Sequence, residues 1–216
     1  MSPESYERKF RVERGSLTDG NEDILVNASN TNGNLGSGVS GAIRVACGPD
    51  FQQQVHDTLN STFGGPMQPG QVLITHAGSH PRATHVAHVA VMDYRHGFQG
   101  SSFPTLDLIR TCTTNLWRAI EGLESSSRYS VAMVALGAGT GNLGLRGTTE
   151  IACHTLLQHL REKPNSRIGD VTFYGFQLHE YLVTAEMVVD LLGLDEQSFP
   201  EDVQDYLKTK RQQDGR

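Results

Sequence analysis

Two glycine-rich segments of this chain each follow a short apolar run and precede a segment with helical periodicity. The first loop spans residues 29–41, after the run at 24–28, and the second loop spans residues 137–144, after the run at 130–136. Glycine permits positive φ and leaves room for a ligand to approach the backbone. Strand, glycine-rich loop and helix in succession are typical of the ligand-binding edge of a mostly parallel sheet. The two loops therefore restrict the chain to an α/β fold.

The rest of the hydrophobic pattern agrees with this order of elements. Apolar or alternating runs predict strands, and apolar positions three and four apart predict helices. The predicted strands lie at 10–13, 24–28, 71–75, 84–91, 130–136 and 170–176. The predicted helices lie at 39–47, 51–63, 106–120, 148–160, 180–192 and 200–211, with Thr148 as an N-cap. We expect a flexible segment at 1–9, one domain at 10–193, and a mostly exposed helical tail at 194–216.

Composition narrows the function classes. The 216 residues carry 18 Lys and Arg against 24 Asp and Glu, a formal net charge of −6, so no partnership with duplex nucleic acid is expected. No apolar run reaches the roughly 18 residues that a membrane span needs, and the first residues lack a hydrophobic signal core, so we expect a cytoplasmic protein. The 3 cysteines are widely spaced, which favours reduced thiols over disulfides. No metal site is predicted, because the histidines between 76 and 88 do not converge on one face.

The chemistry of the two loops follows from their backbone. Consecutive exposed N–H groups before a helix form an anion-binding nest, so two such loops at neighbouring strand ends would hold a diphosphate from two sides. Backbone amides need no lysine, which suits an acidic chain. The second loop reads G-x-G-x-G, which is neither the GxGxxG dinucleotide fingerprint nor a Walker motif. The alternative, that the glycines only make tight turns, stays open here.

Several of these segments together resemble a known family. The runs DILVNASN at 23–30, GSGVSGAI at 36–43 and ALGAGTGNL at 135–143 resemble, in matching order, the signature of the macro domain family. The resemblance implies a three-layer α/β/α sandwich with a central mixed, mostly parallel sheet. It also implies ADP-ribose as the ligand, no cofactor, and ADP-ribose or ADP-ribosylated protein as the partner.

Carried over position by position, the resemblance also implies a set of ligand contacts. Asn30 matches the asparagine that faces the distal ribose, and Phe176 takes the place of an aromatic residue against adenine, although an aromatic there is also compatible with a core role. Asn27 and Asn30 have a second interpretation as residues that hold the loop's own backbone. The full predicted set of ligand contacts is Ser16, Leu17, Asn27, Asn30, Gly36, Ser37, Gly38, Val39, Gly137, Ala138, Gly139, Thr140, Gly141, Asn142 and Phe176.

Two departures from the family pattern bear on activity. Ser16 stands where members often carry the aspartate that accepts a hydrogen bond from adenine, and Ser40 stands where hydrolytic members carry an aspartate. Two functions stay open. The first is a hydrolase, either an ADP-ribosyl hydrolase or an O-acetyl-ADP-ribose deacetylase, in which the ligand itself helps position the attacking water. The second is a non-catalytic ADP-ribose reader. For the hydrolase, Asn30 and Asp93 are the candidate catalytic residues, with His96 as a further candidate for proton transfer.

Overall fold

The computed structural model describes residues 7–124 and 127–214. The six strands are β1 (Phe10–Arg14), β2 (Ile24–Asn30), β3 (Val72–His76), β4 (His85–Met92), β5 (Tyr129–Met133) and β6 (Ile168–Gly175). They form one sheet in the order β1-β6-β5-β2-β4-β3. Every neighbouring pair is parallel except β3 with β4, which is antiparallel. The predicted mixed, mostly parallel sheet is confirmed.

Helices cover both faces of the sheet. They are α1 (Gly38–Cys47), α2 (Phe51–Phe63), α3 (Leu106–Glu121), α4 (Leu145–Glu162), α5 (Leu178–Leu192) and α6 (Glu201–Asp214). Side chains of α1 and α2 share one apolar core with Leu25 and Val86, while α3 to α6 share a larger core with Ile24 and Val131. Successive strand residues face opposite sides, so β2 contributes to both cores and reads as a continuous apolar run. The α/β/α sandwich is therefore confirmed.

Element boundaries differ from the sequence-based prediction by up to three residues, and three of these differences are informative. Strand β2 continues to Asn30, because Ser29 and Asn30 still pair with β4 although their polar side chains favour loops. Strand β5 ends at Met133, three residues before the predicted end at Leu136. Helix α4 begins at Leu145, so Thr148 is not an N-cap. Its hydroxyl instead donates to the carbonyl oxygen of Gly144 at 3.0 Å from within the first turn.

The ends of the chain are more closely tied to the domain than the sequence indicated. The Arg8 side chain donates to the Ile168 carbonyl and the Lys9 amide donates to Asp170, both at 3.0 Å, while residues 1–6 lie outside the described part. In the tail, Val203 and Leu207 of α6 are buried in the larger core. Helix α6 is thus amphipathic, with one face against the domain and the other exposed to solvent.

Candidate ligand-binding cleft

A cleft of about 600 Å³ lies along the carboxyl ends of four neighbouring strands, β6, β5, β2 and β4. The first loop, which the structure confines to residues 31–37, borders it on one side, and the second loop borders it on the other. The cleft is lined by Gly15, Ser16, Leu17, Ala28, Ser29, Asn30, Asn34, Gly36, Ser37, Gly38, Val39, Ser40, Ala42, Val91, Met92, Tyr94, Val134, Ala135, Gly137, Ala138, Gly139, Thr140, Gly141, Leu145, Tyr174, Phe176 and Glu180. The fold thus brings both glycine-rich loops to one cavity.

The first loop is held in place by hydrogen bonds from side chains of the neighbouring elements β2 and α2. The Asn30 carboxamide donates to the Asn34 carbonyl at 2.9 Å, and its oxygen accepts from the amides of Asn32 and Asn34 at 3.1 and 3.2 Å. Gln52 of α2 accepts from the Leu35 amide at 2.7 Å and donates to the Gly33 carbonyl at 3.0 Å. Asn30 therefore has the loop-holding role that the sequence left open, while part of it still faces the cleft.

The second loop is held by its own backbone. Its internal hydrogen bonds run from Ala138 to Ala135 at 3.2 Å, from Asn142 to Gly139 at 2.9 Å, and from Leu143 to Gly137 at 3.1 Å, in each case from an amide to a carbonyl. Asn142 has φ 55°, in the left-handed region that asparagine tolerates better than most residues. This closed arrangement leaves the middle of the loop facing the cleft.

Backbone amides from both loops remain available in the cleft. Within the described part of the chain, the N–H groups of Gly36 and Ser37 donate to no other residue, and the same holds for Gly139, Thr140 and Gly141. Helix α1 begins at Gly38, so its first-turn amides add to the first group, since the first N–H groups of a helix have no partner within it. Of the lysines and arginines that the structure describes, none lines the cleft. Its capacity for an anion therefore comes from the backbone amides.

The end of the cleft beyond β6 carries an exposed aromatic side chain. The Phe176 side chain is 71% exposed and follows the last residue of β6. Tyr174 lies beside it, and Leu17 is buried beneath a short turn that begins at Ser16. The Ser16 hydroxyl lies 2.7 Å from the Thr18 hydroxyl and accepts from the Thr18 amide at 3.3 Å, so it caps that turn. A flat ring that is open on one face is the surface on which a nucleobase stacks.

Three predicted site residues do not line the cleft. Asn27 is fully buried on the α1 side of the sheet, where its carboxamide binds Ser40 and His88. Asn142 is exposed but lies outside the lining. Asp93 lies beyond the end of β4 and holds Arg95 in an ion pair at 2.7 Å, which lowers its pKa to about 2. A carboxylate with so low a pKa is a poor general base near neutral pH. His96, in the same loop, does not line the cleft either.

Other lining residues were not found from the sequence. Tyr94 follows β4 at the end of the cleft opposite Phe176, and its amide donates to Thr31 at 2.9 Å. Glu180 lies near Phe176, and its carboxylate accepts from the amides of Phe176 and Gln177 at 2.9 Å each. The position of Tyr94 just after a strand of the binding edge was the one available signal. Glu180 gave no comparable signal, because its approach depends on where α5 packs.

The cysteine at the end of α1, Cys47, is buried. Burial raises the pKa of the Cys47 thiol to about 12, so it is not a thiolate near neutral pH. Among residues 7–124 and 127–214, no group of three or more His, Cys, Asp or Glu side chains is arranged to hold a metal ion. A helix with the length and hydrophobicity of a membrane span is also absent from these residues.

Comparison with known proteins gives one consistent result. The Macro domain family model matches residues 26–152. A macro domain-containing protein of Listeria monocytogenes is 25% identical over 185 residues, 83% of this chain and 99% of the relative. An O-acetyl-ADP-ribose deacetylase of Cronobacter turicensis is 27% identical over 159 residues, 74% of this chain and 85% of the enzyme.

Solved structures show the same fold. A mutant macrodomain of Oceanobacillus iheyensis with ADPR superposes with a TM-score of 0.71 at 22% identity, over 90% of this chain and 99% of the other. The Trypanosoma brucei macrodomain in complex with ADP-ribose gives a TM-score of 0.68 at 26% identity, over 87% of this chain and 72% of the other.

Proposed function

This chain belongs to the macro domain family, and from that premise we propose that its cleft binds ADP-ribose. The observation that carries the proposal is the pair of loops that present free backbone amides to one cavity from two sides. A diphosphate supplies acceptor oxygens in two directions, and it would accept from Gly36 and Ser37 on one side and from Gly139 to Gly141 on the other. The exposed ring of Phe176 at the end of the cleft would stack on the adenine.

An anion site made of backbone amides is compatible with the negative net charge of the chain. A protein with a formal net charge of −6 repels polyanions at long range, yet a nest of amides binds a small diphosphate by direct hydrogen bonds. The partner that this arrangement fits is therefore ADP-ribose itself or a protein that carries it, and no cofactor takes part.

A matched pair of phenylalanines tests the binding proposal. Phe176 lines the cleft and Phe98 does not, although their side chains are similarly exposed, at 71% and 65%. We expect Phe176→Ala to weaken ADP-ribose binding by about 5- to 150-fold in isothermal titration, since stacking contributes about 1–3 kcal/mol per base. Phe98→Ala should bind as the unaltered protein does. Absence of ADP-ribose binding by the unaltered protein would refute the proposal, and equal losses in both variants would refute the stacking role.

For activity, the proposal is slow hydrolysis of the ADP-ribose linkage on a modified substrate, in which the ligand's own diphosphate positions the attacking water. Among the residues that the structure describes, Glu180 is the one carboxylate along the cleft, and it already accepts from two backbone amides. Without a general base, turnover would be about 10²- to 10⁴-fold slower than in an enzyme that has one. The O-acetyl ester of ADP-ribose is a second substrate that the same geometry admits.

No described residue other than Glu180 brings a carboxylate to the cleft, which equally favours a reader without catalysis, the second candidate function. Incubation of ADP-ribosylated protein with the pure domain separates the two. Release of ADP-ribose in proportion to domain concentration supports the hydrolase, whereas retained label together with measurable binding supports the reader. Loss of the release in Phe176→Ala, but not in Phe98→Ala, would assign any activity to this cleft and not to a contaminant.

A further inference from the structure

A chain of four polar side chains runs beneath the floor of the cleft, from α1 across three strands. The Ser40 hydroxyl lies 2.8 Å from the Asn27 carboxamide oxygen, the Asn27 amide nitrogen lies 3.0 Å from Nδ1 of His88, and Nε2 of His88 lies 3.1 Å from the Thr75 hydroxyl. All four residues are buried, and Ser40 alone lines the cleft. We call these residues the Ser40–Thr75 chain.

Each member of the Ser40–Thr75 chain fixes the hydrogen-bond direction of the next. Asn27 presents its NH₂ group to His88, so Nδ1 of the imidazole must accept. The neutral ring then carries its proton on Nε2 and donates it to Thr75. At the other end, the carboxamide oxygen of Asn27 faces Ser40, which must donate to it. The tautomer of the buried His88 thus corresponds to one donor-to-acceptor direction along the whole Ser40–Thr75 chain.

The surroundings of His88 keep the ring neutral. It is fully buried in the smaller core, with the Phe51 ring centroid 5.9 Å away, and burial lowers its pKa to about 3. A neutral imidazole has one N–H and one acceptor nitrogen, so it transmits a single direction along the chain. A protonated ring would donate from both nitrogens and would no longer accept from Asn27.

The consequence reaches the cleft through Ser40. A serine hydroxyl has one hydrogen, and here that hydrogen is directed to Asn27 at 2.8 Å, with the Ala28 carbonyl at 3.4 Å as a more distant acceptor. What remains for the cleft is the lone-pair side of the oxygen. Ser40 therefore offers an acceptor, in contrast to the neighbouring loop amides, which offer donors.

Resting on the proposed function, we propose that Ser40 accepts a hydrogen bond from an O–H group in the occupied cleft, either a ribose hydroxyl or the attacking water. Asn27 and His88 are positioning residues that hold Ser40 in this role. Phosphate oxygens lack a hydrogen to donate, so Ser40 separates the sugar or water position from the diphosphate position. The Ser40–Thr75 chain thereby selects which part of the ligand lies above it.

The direction of the chain is measurable without any ligand. Long-range ¹H–¹⁵N correlations of the His88 ring should show the Nε2–H tautomer near neutral pH. The opposite tautomer, with the proton on Nδ1, would reverse every bond in the chain. Ser40 would then accept from Asn27 and turn its own hydrogen to the cleft as a donor, which would overturn the proposal. This measurement stands even if ADP-ribose fails to bind, so failure of the proposed function is distinguishable from failure of this inference.

The role of the acceptor is tested with Ser40→Ala, titrated with ADP-ribose and with ADP, and assayed for release of ADP-ribose. If the donor is a ribose hydroxyl, Ser40→Ala should bind about 2- to 12-fold more weakly. The loss should affect ADP-ribose alone if the hydroxyl belongs to the distal ribose. It should affect both ligands if the hydroxyl belongs to the adenosine. Water as donor predicts unchanged affinities and slower turnover. Unchanged affinities together with unchanged or absent turnover would overturn the proposal.

Two further variants guard against a merely structural effect. Ser40→Thr keeps the hydroxyl and should restore most of the lost affinity or turnover. Ser61→Ala removes an exposed helical serine of α2 that donates to the Thr58 carbonyl at 3.0 Å, and it should leave both readouts unchanged. If Ser40→Thr fails to restore while its unfolding transition matches that of the unaltered protein, the acceptor role is excluded.

Discussion

The two loops of the cleft look alike in sequence, yet different contacts hold them. The first loop depends on side chains that come from outside it, Asn30 from β2 and Gln52 from α2. The second loop depends on amide-to-carbonyl bonds within its own backbone. One loop is therefore shaped by the scaffold, and the other is shaped by its own turn geometry.

One glycine of each loop, Gly36 and Gly141, shows the same difference. A Cβ built on Gly36 would have no atom within 4 Å, so the space beside it is open. A Cβ on Gly141 would lie 2.5 Å from the Gly137 carbonyl oxygen and 2.9 Å from the Pro104 side chain. Gly36 in the first loop therefore leaves open space beside the backbone for a ligand. In the second loop, Gly141 lets the chain pack against itself.

The largest effect should come from Gly141→Ala. The added methyl group meets backbone at 2.5 Å, which requires the second loop to shift, so we expect a loss of about 3 kcal/mol in the free energy of unfolding. Gly139→Ala is the matched control, because its Cβ would have no atom within 4 Å and its φ is not in the left-handed region. Urea denaturation of both variants checks this. Equal stabilities would mean that the second loop yields easily.

Acid should lower the free energy of unfolding through His88, the buried histidine beneath the floor of the cleft. Burial lowers the His88 pKa to about 3, while an unfolded histidine titrates near 6.5. Between these values the unfolded state binds a proton that the folded state does not, so stability falls as pH falls. From pH 7 to pH 4.5 this group alone should cost about 2–3 kcal/mol. The measurement is urea denaturation across pH, and His88→Gln should lose that part of the dependence. An unchanged slope would contradict it.

A smaller loss is expected from Gln52→Ala. This variant removes two hydrogen bonds to the first loop, at 2.7 and 3.0 Å, and should cost about 1–2 kcal/mol and speed amide exchange at Leu35. Gln53→Ala is the control, since the Gln53 side chain donates to Asp57 at 2.8 Å on the exposed face of α2. If both variants behave alike, the first loop does not depend on outside side chains and the comparison fails.

The smallest effect on stability should come from Gly36→Ala, within about 0.5 kcal/mol, because the methyl group meets no atom. ADP-ribose affinity should nevertheless fall at least about tenfold, since that methyl group would stand beside the free amides that we assign to the diphosphate. Thermal unfolding and isothermal titration provide the two readouts. If Gly36→Ala binds ADP-ribose with unchanged affinity, Gly36 only forms the turn and does not leave room for the diphosphate.

Much of the fold was accessible from the sequence, because alternation of strands and helices depends on local patterns. The errors occurred where tertiary contacts override them. Ser29 and Asn30 are poor strand formers, yet their pairing with β4 keeps them in β2. Thr148 has the chemistry of an N-cap, yet the backbone of the second loop starts α4 at Leu145.

The site was predictable as loops and less so as side chains. Glycine spacing marked both loops, whereas the direction of each asparagine depended on the sheet. Asn27 is buried against His88, whereas Asn30 lies where the pairing of β2 with β4 becomes irregular and bonds the backbone of the first loop. Tyr94 reaches the cleft only because β4 is adjacent to β2 in the sheet. Strand order of this kind has no signature in a single sequence.

The burial of α6 has a practical consequence for shortened versions of the chain. Tyr206 donates to Glu186 of α5 at 3.1 Å, and Glu186 also pairs with Arg146, two residues beyond the second loop. A version cut after Gly193 would uncover the apolar surface that Val203 and Leu207 now shield, and it would remove one of the two partners of Glu186. The last helix and the sheet should accordingly melt in one cooperative transition, and a protease should not release the helix from the folded domain.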